Sequence, residues 1–233
     1  SRYIEAAREA IKGCEVLETA ALGAQFSMAF SALGCRSILV EAEKTSVASL
    51  KKLRRLARGI KISADGSLDA ALTAMRSLKT AREVALIEQA QAVTDRAFDH
   101  ILGVIKPGIT ERELCLELDF FMLKNGADAV AFDTIAASGA NGSKPHAVPG
   151  GKCLARGEMV TLDFGAVVGG YRSDMTRTVA LGEPGPEQRK VYDIVLTAQR
   201  LALEKLADGV TCFDADAAGR GFIAAQGYGA YFG

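Results

Sequence analysis

The sequence lacks an excess of charge of either sign, because its 28 basic residues are balanced by 28 acidic ones. A balanced chain gives no electrostatic reason to expect a nucleic acid or an anionic membrane as a partner. The sequence also lacks an apolar run long enough to span a bilayer. No signal-peptide pattern follows Ser1, although a start without its first residues would hide one. Together these absences predict a protein with no nucleic-acid partner and no membrane partner.

Paired cysteine motifs are also absent, since the five cysteines are widely spaced and form no Cys-x-x-Cys pair. An odd number at such spacing indicates reduced thiols, most of them in packed positions, and predicts a cytoplasmic location. No base that could activate a thiol nucleophile is identifiable beside them. The cysteines are Cys14, Cys35, Cys115, Cys153 and Cys212.

Residues 1–77 alternate between helical and strand patterns, which is typical of an α/β domain with a partly parallel sheet. The predicted elements are helices from Tyr3, over 20–33 and over 46–58, and strands over 15–17, 37–41 and 60–62. The third helix carries a basic run that could be interpreted as a nucleic-acid surface. Apolar residues at helical spacing on the opposite side favour a solvated face instead. The basic residues are Lys51, Lys52, Arg54, Arg55 and Arg58.

Residues 78–233 follow the pattern of an α+β domain. Thr80 with Glu83, and Thr110 with Glu113, have the spacing of a capping box, so a helix is predicted after each. A strand over about 130–137, a loop, a hairpin and two further helices follow. These last helices are predicted to end near residues 208 and 226.

Two aspartates lie on the predicted hairpin. A Gly-Gly pair at residues 169–170 separates two runs rich in β-branched and aromatic residues, which is a hairpin signal. A two-residue loop would place Gly165 opposite Asp174. Asp163 would then share a face with Asp174 as its diagonal neighbour. A four-residue loop with the same centre keeps this relation, whereas a three-residue loop would break it.

Such a pair of carboxylates is unfavourable unless a proton or a cation lies between them. One plainer interpretation is that one aspartate caps a turn and the other is solvated. That interpretation does not explain Asp163 within an otherwise apolar strand, where an unpaired charge would be costly. Carboxylate oxygens favour divalent ions such as Mn, Mg, Co or Zn, and two ions could share the site. The pattern therefore predicts Asp163 and Asp174 as metal ligands.

Several segments together resemble the core of the metallopeptidases with the pita-bread fold. Within that family the resemblance is strongest to the proline-specific branch, Xaa-Pro aminopeptidase and Xaa-Pro dipeptidase (prolidase). The Asp-Phe-Gly at 163–165 also occurs in protein kinases, but no glycine-rich phosphate loop or His-Arg-Asp loop accompanies it. The segments are Ser-Gly-Ala-Asn-Gly-Ser-Lys-Pro-His-Ala-Val-Pro at 138–149, Leu154 with Gly157 and Glu158, the hairpin, Gly-Glu-Pro at 182–184 and the closing Gly-Tyr-Gly-Ala-Tyr-Phe-Gly.

The resemblance implies roles for individual residues. Asp163 would chelate one of two divalent ions, expected to be Mn with Co or Zn as alternatives, and Asp174 would bridge both. A water or hydroxide between the ions would be the nucleophile. His146 would contact the substrate and stabilise the tetrahedral intermediate or shuttle protons, although its loop position alone would favour a water-solvated imidazole. His100 matches no family ligand and is expected to be a packing or surface histidine.

The resemblance also implies ligands that are not in the sequence. A histidine and two glutamates are expected after the Tyr-Phe-Gly that closes it. The chain is therefore expected to be a piece of a longer peptidase, truncated at both ends and inactive alone. Residues 1–77 would be part of a creatinase-like amino-terminal α/β domain, and residues 78–233 the amino-terminal portion of a pita-bread catalytic domain.

The expected activity is hydrolysis of the Xaa-Pro bond, in dipeptides or at the amino termini of peptides with proline in the second position, by a homodimer. Methionine aminopeptidases usually lack such an amino-terminal domain, and creatinase works without metal, so both fit less well. The competing class is a non-catalytic pita-bread binding module.

Overall fold

The computed structural model of the chain describes residues 3–16, 18, 22–57 and 59–233. It divides into two compact units, Ser1–Lys79 and Thr80–Gly233. Four residues that the sequence assigned to elements lie outside the described part of the chain. They are Leu17 of the predicted strand over 15–17, Ala20 and Ala21 at the start of the predicted second helix, and Arg58 of the basic run.

The first unit contains a parallel pair of strands joined by a helix. Ile38 lies opposite Ile62 in this pair, in agreement with the predicted parallel sheet. Parallel strands require a crossover connection, and the third helix provides it. The elements are α1 (Ile4–Ala10), α2 (Leu22–Ala32), β1 (Ser37–Leu39), α3 (Val47–Leu56), β2 (Lys61–Ser63) and α4 (Ser67–Ser77).

Helix α3 begins at Ser46, whose side chain accepts a hydrogen bond of 3.1 Å from the backbone N–H of Ser49. Its apolar side is partly buried at Leu53 and Leu56, and Ala57 just after it is buried. The opposite side is exposed, as predicted for a solvated basic face. The exposed basic residues are Lys51, Lys52, Arg54 and Arg55.

The second unit starts with two helices, α5 (Ala81–Leu102) and α6 (Glu111–Lys124). Both predicted capping boxes are present. The Thr80 backbone N–H donates to Glu83 Oε2 over 2.7 Å, and the Thr110 N–H donates to Glu113 Oε2 over 2.8 Å. Glu83 also uses its other oxygen, since Oε1 accepts a hydrogen bond of 2.7 Å from the hydroxyl of Tyr171.

The strands of this unit form two antiparallel ladders of three strands each, in the orders β4-β5-β8 and β3-β6-β7. The prediction of a single strand over 130–137 is wrong, because this segment forms two short strands. One of them pairs with the distal part of the hairpin and the other with the proximal part. The strands are β3 (Ala129–Val130), β4 (Ile135–Ser138), β5 (Met159–Phe164), β6 (Ala166–Val168), β7 (Tyr171–Arg172) and β8 (Met175–Ala180).

The core of this unit lies between β5 and the two helices. Alternate residues of β5 are fully buried, and they belong to the same apolar cluster as buried residues of α5 and α6. Each such aliphatic or aromatic side chain contributes about 1.5–3 kcal/mol through its removal from water. The cluster therefore holds β5 rigidly. Its β5 members are Val160, Leu162 and Phe164.

Two more helices, α7 (Pro186–Lys205) and α8 (Cys212–Ala225), complete the chain. They pack through Ile194, Ala198 and Ile223. Gly219 permits the close approach, because a Cβ atom at this position would lie 3.1 Å from the carbonyl oxygen of Ala198. In the described part of the chain, no helix combines the length and apolar character that crossing a membrane requires.

All five cysteines are free, but the prediction that most are packed is wrong. Only Cys115 is buried, and Cys35 is partly exposed. The other three, Cys14, Cys153 and Cys212, are exposed. They lie in connecting segments or at the start of a helix, and such parts of the chain lie at the surface.

Candidate metal centre

The hairpin turns at Gly169 and Gly170, which have φ angles of 56° and 84°. Positive φ at both central residues suits a two-residue loop, and glycine adopts it without steric cost. Val168 pairs with Tyr171, as the sequence predicted.

The register stays constant through the whole hairpin. Beyond the tip pairs, Phe164 lies opposite Met175 and Asp163 opposite Thr176. Gly165 therefore faces Asp174 where the hairpin passes from one ladder to the other. A Cβ atom at Gly165 would lie 2.1 Å from the carbonyl oxygen of Ser173, so only glycine fits at this crossing.

Burial identifies the two faces of the hairpin. Phe164 and Met175 are buried in the core. Asp174 and Thr176 flank Met175 and are exposed, and Asp163 is half-buried beside them. Because side chains alternate along a strand, Asp163 and Asp174 project from the same, outer face. Asp163 does lie in an otherwise apolar strand, but the buried side chains of that strand point to the other face, so its charge costs less than the sequence predicted.

Asp163 is oriented by the residue directly across the ladder. The hydroxyl of Thr176 donates a hydrogen bond of 2.8 Å to Asp163 Oδ1. An ionised carboxylate has about four acceptor positions, so one threonine leaves capacity for a cation. Thr176 was not predicted from the sequence, although the same register places it two residues from Asp174 on their shared face.

The backbone next to Asp174 is fixed from inside the protein. Ser173 is buried, and its hydroxyl accepts a hydrogen bond of 2.9 Å from the Ala166 backbone N–H. The same hydroxyl lies 2.5 Å from that of Thr94 on α5. These bonds connect the crossing segment to the long helix and limit the positions that Asp174 can adopt. Sequence pattern gave no signal for them, because Thr94 is 79 residues away along the chain.

His146 is exposed in the loop between β4 and β5, just after a 3₁₀ helix at Gly139–Ser143. Within the described residues, its imidazole has no hydrogen bond or ion pair to either aspartate. The structure thus places Asp163 and Asp174 on one face of the hairpin and His146 on the loop that precedes it.

His100 is a packing histidine, as expected. Its ring stacks on that of Phe121 with a centroid distance of 4.3 Å. Its Nε2 lies 2.6 Å from Oε1 of Glu117 on the neighbouring helix. The contacts connect α5 to α6.

The chemistry of the aspartate pair fits a divalent ion. Both side chains offer hard oxygen ligands on one accessible face, and that face is held by Thr176 and Ser173. Among the described residues, no cluster of three or more histidine, cysteine, aspartate or glutamate side chains has metal-binding geometry. Affinity rises with the number of ligands, so two aspartates alone would hold a divalent ion weakly.

Residues 85–233 match the family described as Metallopeptidase family M24. An Xaa-Pro dipeptidase from Pyrococcus horikoshii is 39% identical over 165 residues, which make up 71% of this chain and 47% of that protein. An uncharacterized peptidase from Bacillus subtilis, YqhT, is 46% identical over 159 residues, or 68% of this chain and 45% of its own length. The chain spans about half the length of the curated relatives it matches.

Solved structures give the same result. An Xaa-Pro dipeptidase from Bacillus anthracis superimposes with a TM-score of 0.92 at 37% identity, covering 100% of this chain and 64% of that one. The prolidase from Pyrococcus horikoshii gives a TM-score of 0.90 at 33% identity, covering 99% of this chain and 64% of its own.

Proposed function

The chain belongs to metallopeptidase family M24, in its Xaa-Pro dipeptidase (prolidase) branch, and from this premise we propose that the whole protein hydrolyses Xaa-Pro bonds. The predicted family and the α+β pita-bread fold are confirmed by these matches. The proposed substrates are Xaa-Pro dipeptides and peptides with proline in the second position.

One observation carries the proposal at the level of the site. Asp163 and Asp174 share the outer face of a hairpin whose inner face is locked in the core, and Thr176 orients Asp163 across 2.8 Å. We assign Asp163 as a ligand of one divalent ion and Asp174 as a ligand shared by two. Mn²⁺ is the proposed metal, with Co²⁺ or Zn²⁺ as alternatives. Ligands beyond these two are expected from the remainder of the whole protein.

The chemistry divides between the metal and the protein. Bound divalent ions supply a water of lowered pKa and polarise the scissile carbonyl. Asp163 and Asp174 contribute negative charge and fixed geometry. His146, exposed on its loop, is assigned to contact the substrate and to donate a hydrogen bond or a proton as the tetrahedral intermediate forms and collapses.

Three further assignments accompany the activity. Residues 1–77 are proposed to be part of a creatinase-like amino-terminal domain, supported by their parallel β-α-β arrangement and by the compact unit Ser1–Lys79 that contains them. A homodimer is proposed on the resemblance to the family. Five free cysteines support a cytoplasmic location, where thiols stay reduced.

The test uses the full-length protein, stripped of metal and then supplied with Mn²⁺, acting on Ala-Pro and on Ala-Pro-Ala. Metal-dependent release of alanine from Ala-Pro identifies a dipeptidase, whereas a preference for Ala-Pro-Ala identifies an aminopeptidase. Asp174→Ala should abolish both the activity and the tight metal binding. Asp193→Ala, an exposed aspartate on α7, is the control that should retain them.

Activity that survives in Asp174→Ala would overturn the ligand assignment. A full-length protein that binds Xaa-Pro peptides but never cleaves them, with any of the three metals, would instead identify a binding module.

A further inference from the structure

Glu111 is a buried carboxylate that does not belong to the candidate metal centre. It is the first residue of α6 and only 1% exposed. Its Oε1 accepts hydrogen bonds from the Ser138 backbone N–H over 2.8 Å and from the Ser138 hydroxyl over 3.1 Å. Its Oε2 accepts from Asn141 Nδ2 over 2.9 Å and from the Gly150 N–H over 3.4 Å. All four donors belong to one loop.

That loop, residues 138–150, is the segment that carries His146. Ser138 begins it, Asn141 lies within it, and Gly150 ends it, so one carboxylate contacts the loop at both ends and in between. The backbone adds a second connection, because the Arg112 N–H donates to the Gly150 carbonyl over 3.1 Å. The first turn of α6 therefore closes the base of the loop.

A lysine extends the network to the start of β5. Lys152 Nζ donates to the Ser138 hydroxyl over 2.6 Å and to both carboxylate oxygens of Glu158 over 2.8 Å. Its ammonium group lowers the pKa of Glu158. The Ser138 hydroxyl thus lies between the Lys152 ammonium group and the Glu111 carboxylate. This nearby positive charge offsets the cost of removing the carboxylate from water.

The loop is also packed tightly against this network. A Cβ atom at Gly139 would lie 2.5 Å from Glu158 Oε1, and one at Gly142 would lie 3.0 Å from the carbonyl oxygen of Ala137. The loop therefore approaches Glu158 at Gly139, and the end of β4 at Gly142, as closely as glycine allows.

We propose that Glu111 is a positioning residue, which holds the 138–150 loop in one conformation and so fixes where His146 is presented. The inference rests on the proposed role of His146 in Xaa-Pro hydrolysis. Apolar packing could stabilise a loop equally well, but a carboxylate with directed hydrogen bonds at both ends specifies its geometry.

The test is Glu111→Gln in the full-length protein. The substitution keeps the shape but replaces one acceptor oxygen by an NH₂ group, which then faces an N–H donor of the loop. Amide hydrogen exchange within residues 139–149 should become at least about 10-fold faster, because the loop opens more often. With Ala-Pro as substrate, kcat should fall about 10-fold to 100-fold while KM changes little, since misplacement affects the transition state more than binding.

Two further variants separate positioning from general destabilisation. Glu113→Ala removes the capping-box carboxylate from the same turn of α6 but touches no loop residue. It loosens the first turn of α6 without removing a contact to the loop, so the rise in loop exchange and the loss of kcat should both be much smaller than in Glu111→Gln. Asn141→Ala removes one loop-side partner of Glu111 and should give a weaker form of the Glu111→Gln pattern. The combined variant should then show less than the product of the two separate effects.

Unchanged loop exchange in both Glu111→Gln and Asn141→Ala would overturn the inference. So would faster loop exchange with an unchanged kcat, which would make Glu111 a purely structural group. If the wild-type protein cleaves no Xaa-Pro substrate, the proposed function fails. In that case the exchange measurement alone decides whether Glu111 holds the loop.

Discussion

Thr176 and Asp163 lie directly opposite each other across the β5-β8 ladder, and the threonine hydroxyl donates a hydrogen bond of 2.8 Å to Asp163 Oδ1. The bond restricts rotation of the carboxylate about its side chain. It involves Oδ1 alone, so Oδ2 has no hydrogen bond to any described residue. The threonine therefore has the position of an outer partner to the proposed metal ligand, and such partners tune both the orientation and the basicity of a ligand.

Thr176→Val should weaken Mn²⁺ binding by about 10-fold or more, because partners of metal ligands typically contribute that much to affinity. Isothermal titration of the metal-free full-length protein measures the change. Thr178→Val is the matched control, since Thr178 lies on the same strand and contacts Thr161 at 3.4 Å. Equal affinity losses in the two variants would show that the Thr176 bond has no special role.

Gly165→Ala should destabilise the second unit by about 3 kcal/mol or more, at the upper end of overpacking effects. The added methyl group would lie 2.1 Å from a backbone oxygen, and the backbone cannot move aside as a side chain end would. Urea denaturation measures the effect. Gly151→Ala serves as control, because nothing lies within 4 Å of a Cβ atom there. A wild-type midpoint in Gly165→Ala would contradict the described crossing.

Cys115 should resist alkylation while the exposed cysteines react. Burial raises the pKa of its thiol to about 12, so almost none of the reactive thiolate is present at pH 8. Iodoacetamide labelling of the native protein followed by peptide mass spectrometry should find Cys153 and Cys212 modified and Cys115 intact. Labelling in denaturant should modify all three. Equal native labelling of Cys115 and Cys153 would refute the packing around α6.

Asp119→Asn should stabilise the protein at neutral pH. Burial raises the pKa of Asp119 above its ordinary value of 3.8, although a hydrogen bond from Thr134 opposes the shift. The folded state therefore binds more protons than the unfolded state, and the contribution of Asp119 to stability falls as pH rises from about 3.8 through the folded pKa. Asparagine keeps an acceptor for Thr134 without the charge.

Thermal unfolding at pH 7 and pH 4 measures this effect. The advantage of Asp119→Asn should be largest at pH 7 and should shrink at pH 4. Asp99→Asn, an exposed aspartate on α5, should behave as wild type at both values. A variant less stable than wild type at pH 7 would show that the carboxylate is needed.

The sequence predicted features whose cause is local. Two glycines determine the hairpin tip, and a threonine three residues before a glutamate starts each long helix. Once the tip was fixed, the period of two along a strand gave the register and the shared face of Asp163 and Asp174.

Features that depend on distant partners could not be predicted in this way. The donors to Glu111 lie up to 39 residues away along the chain, and no spacing rule connects a helix start to both ends of a loop. The division of residues 130–137 into two strands depends on which part of the hairpin each one meets. The exposure of Asp163 depends on what packs against the outer face of the hairpin, and the residue pattern of one strand does not predict this.

Glu83 forms hydrogen bonds with two residues that lie far apart in the sequence. One oxygen caps α5 at Thr80, and the other accepts the hydroxyl of Tyr171, which is 88 residues further on. A change at either position therefore removes a bond that the other residue makes. Among M24 relatives, residues 83 and 171 are expected to covary. Where position 171 loses its hydroxyl, glutamine is expected at position 83 as often as glutamate, because either side chain can complete the capping box.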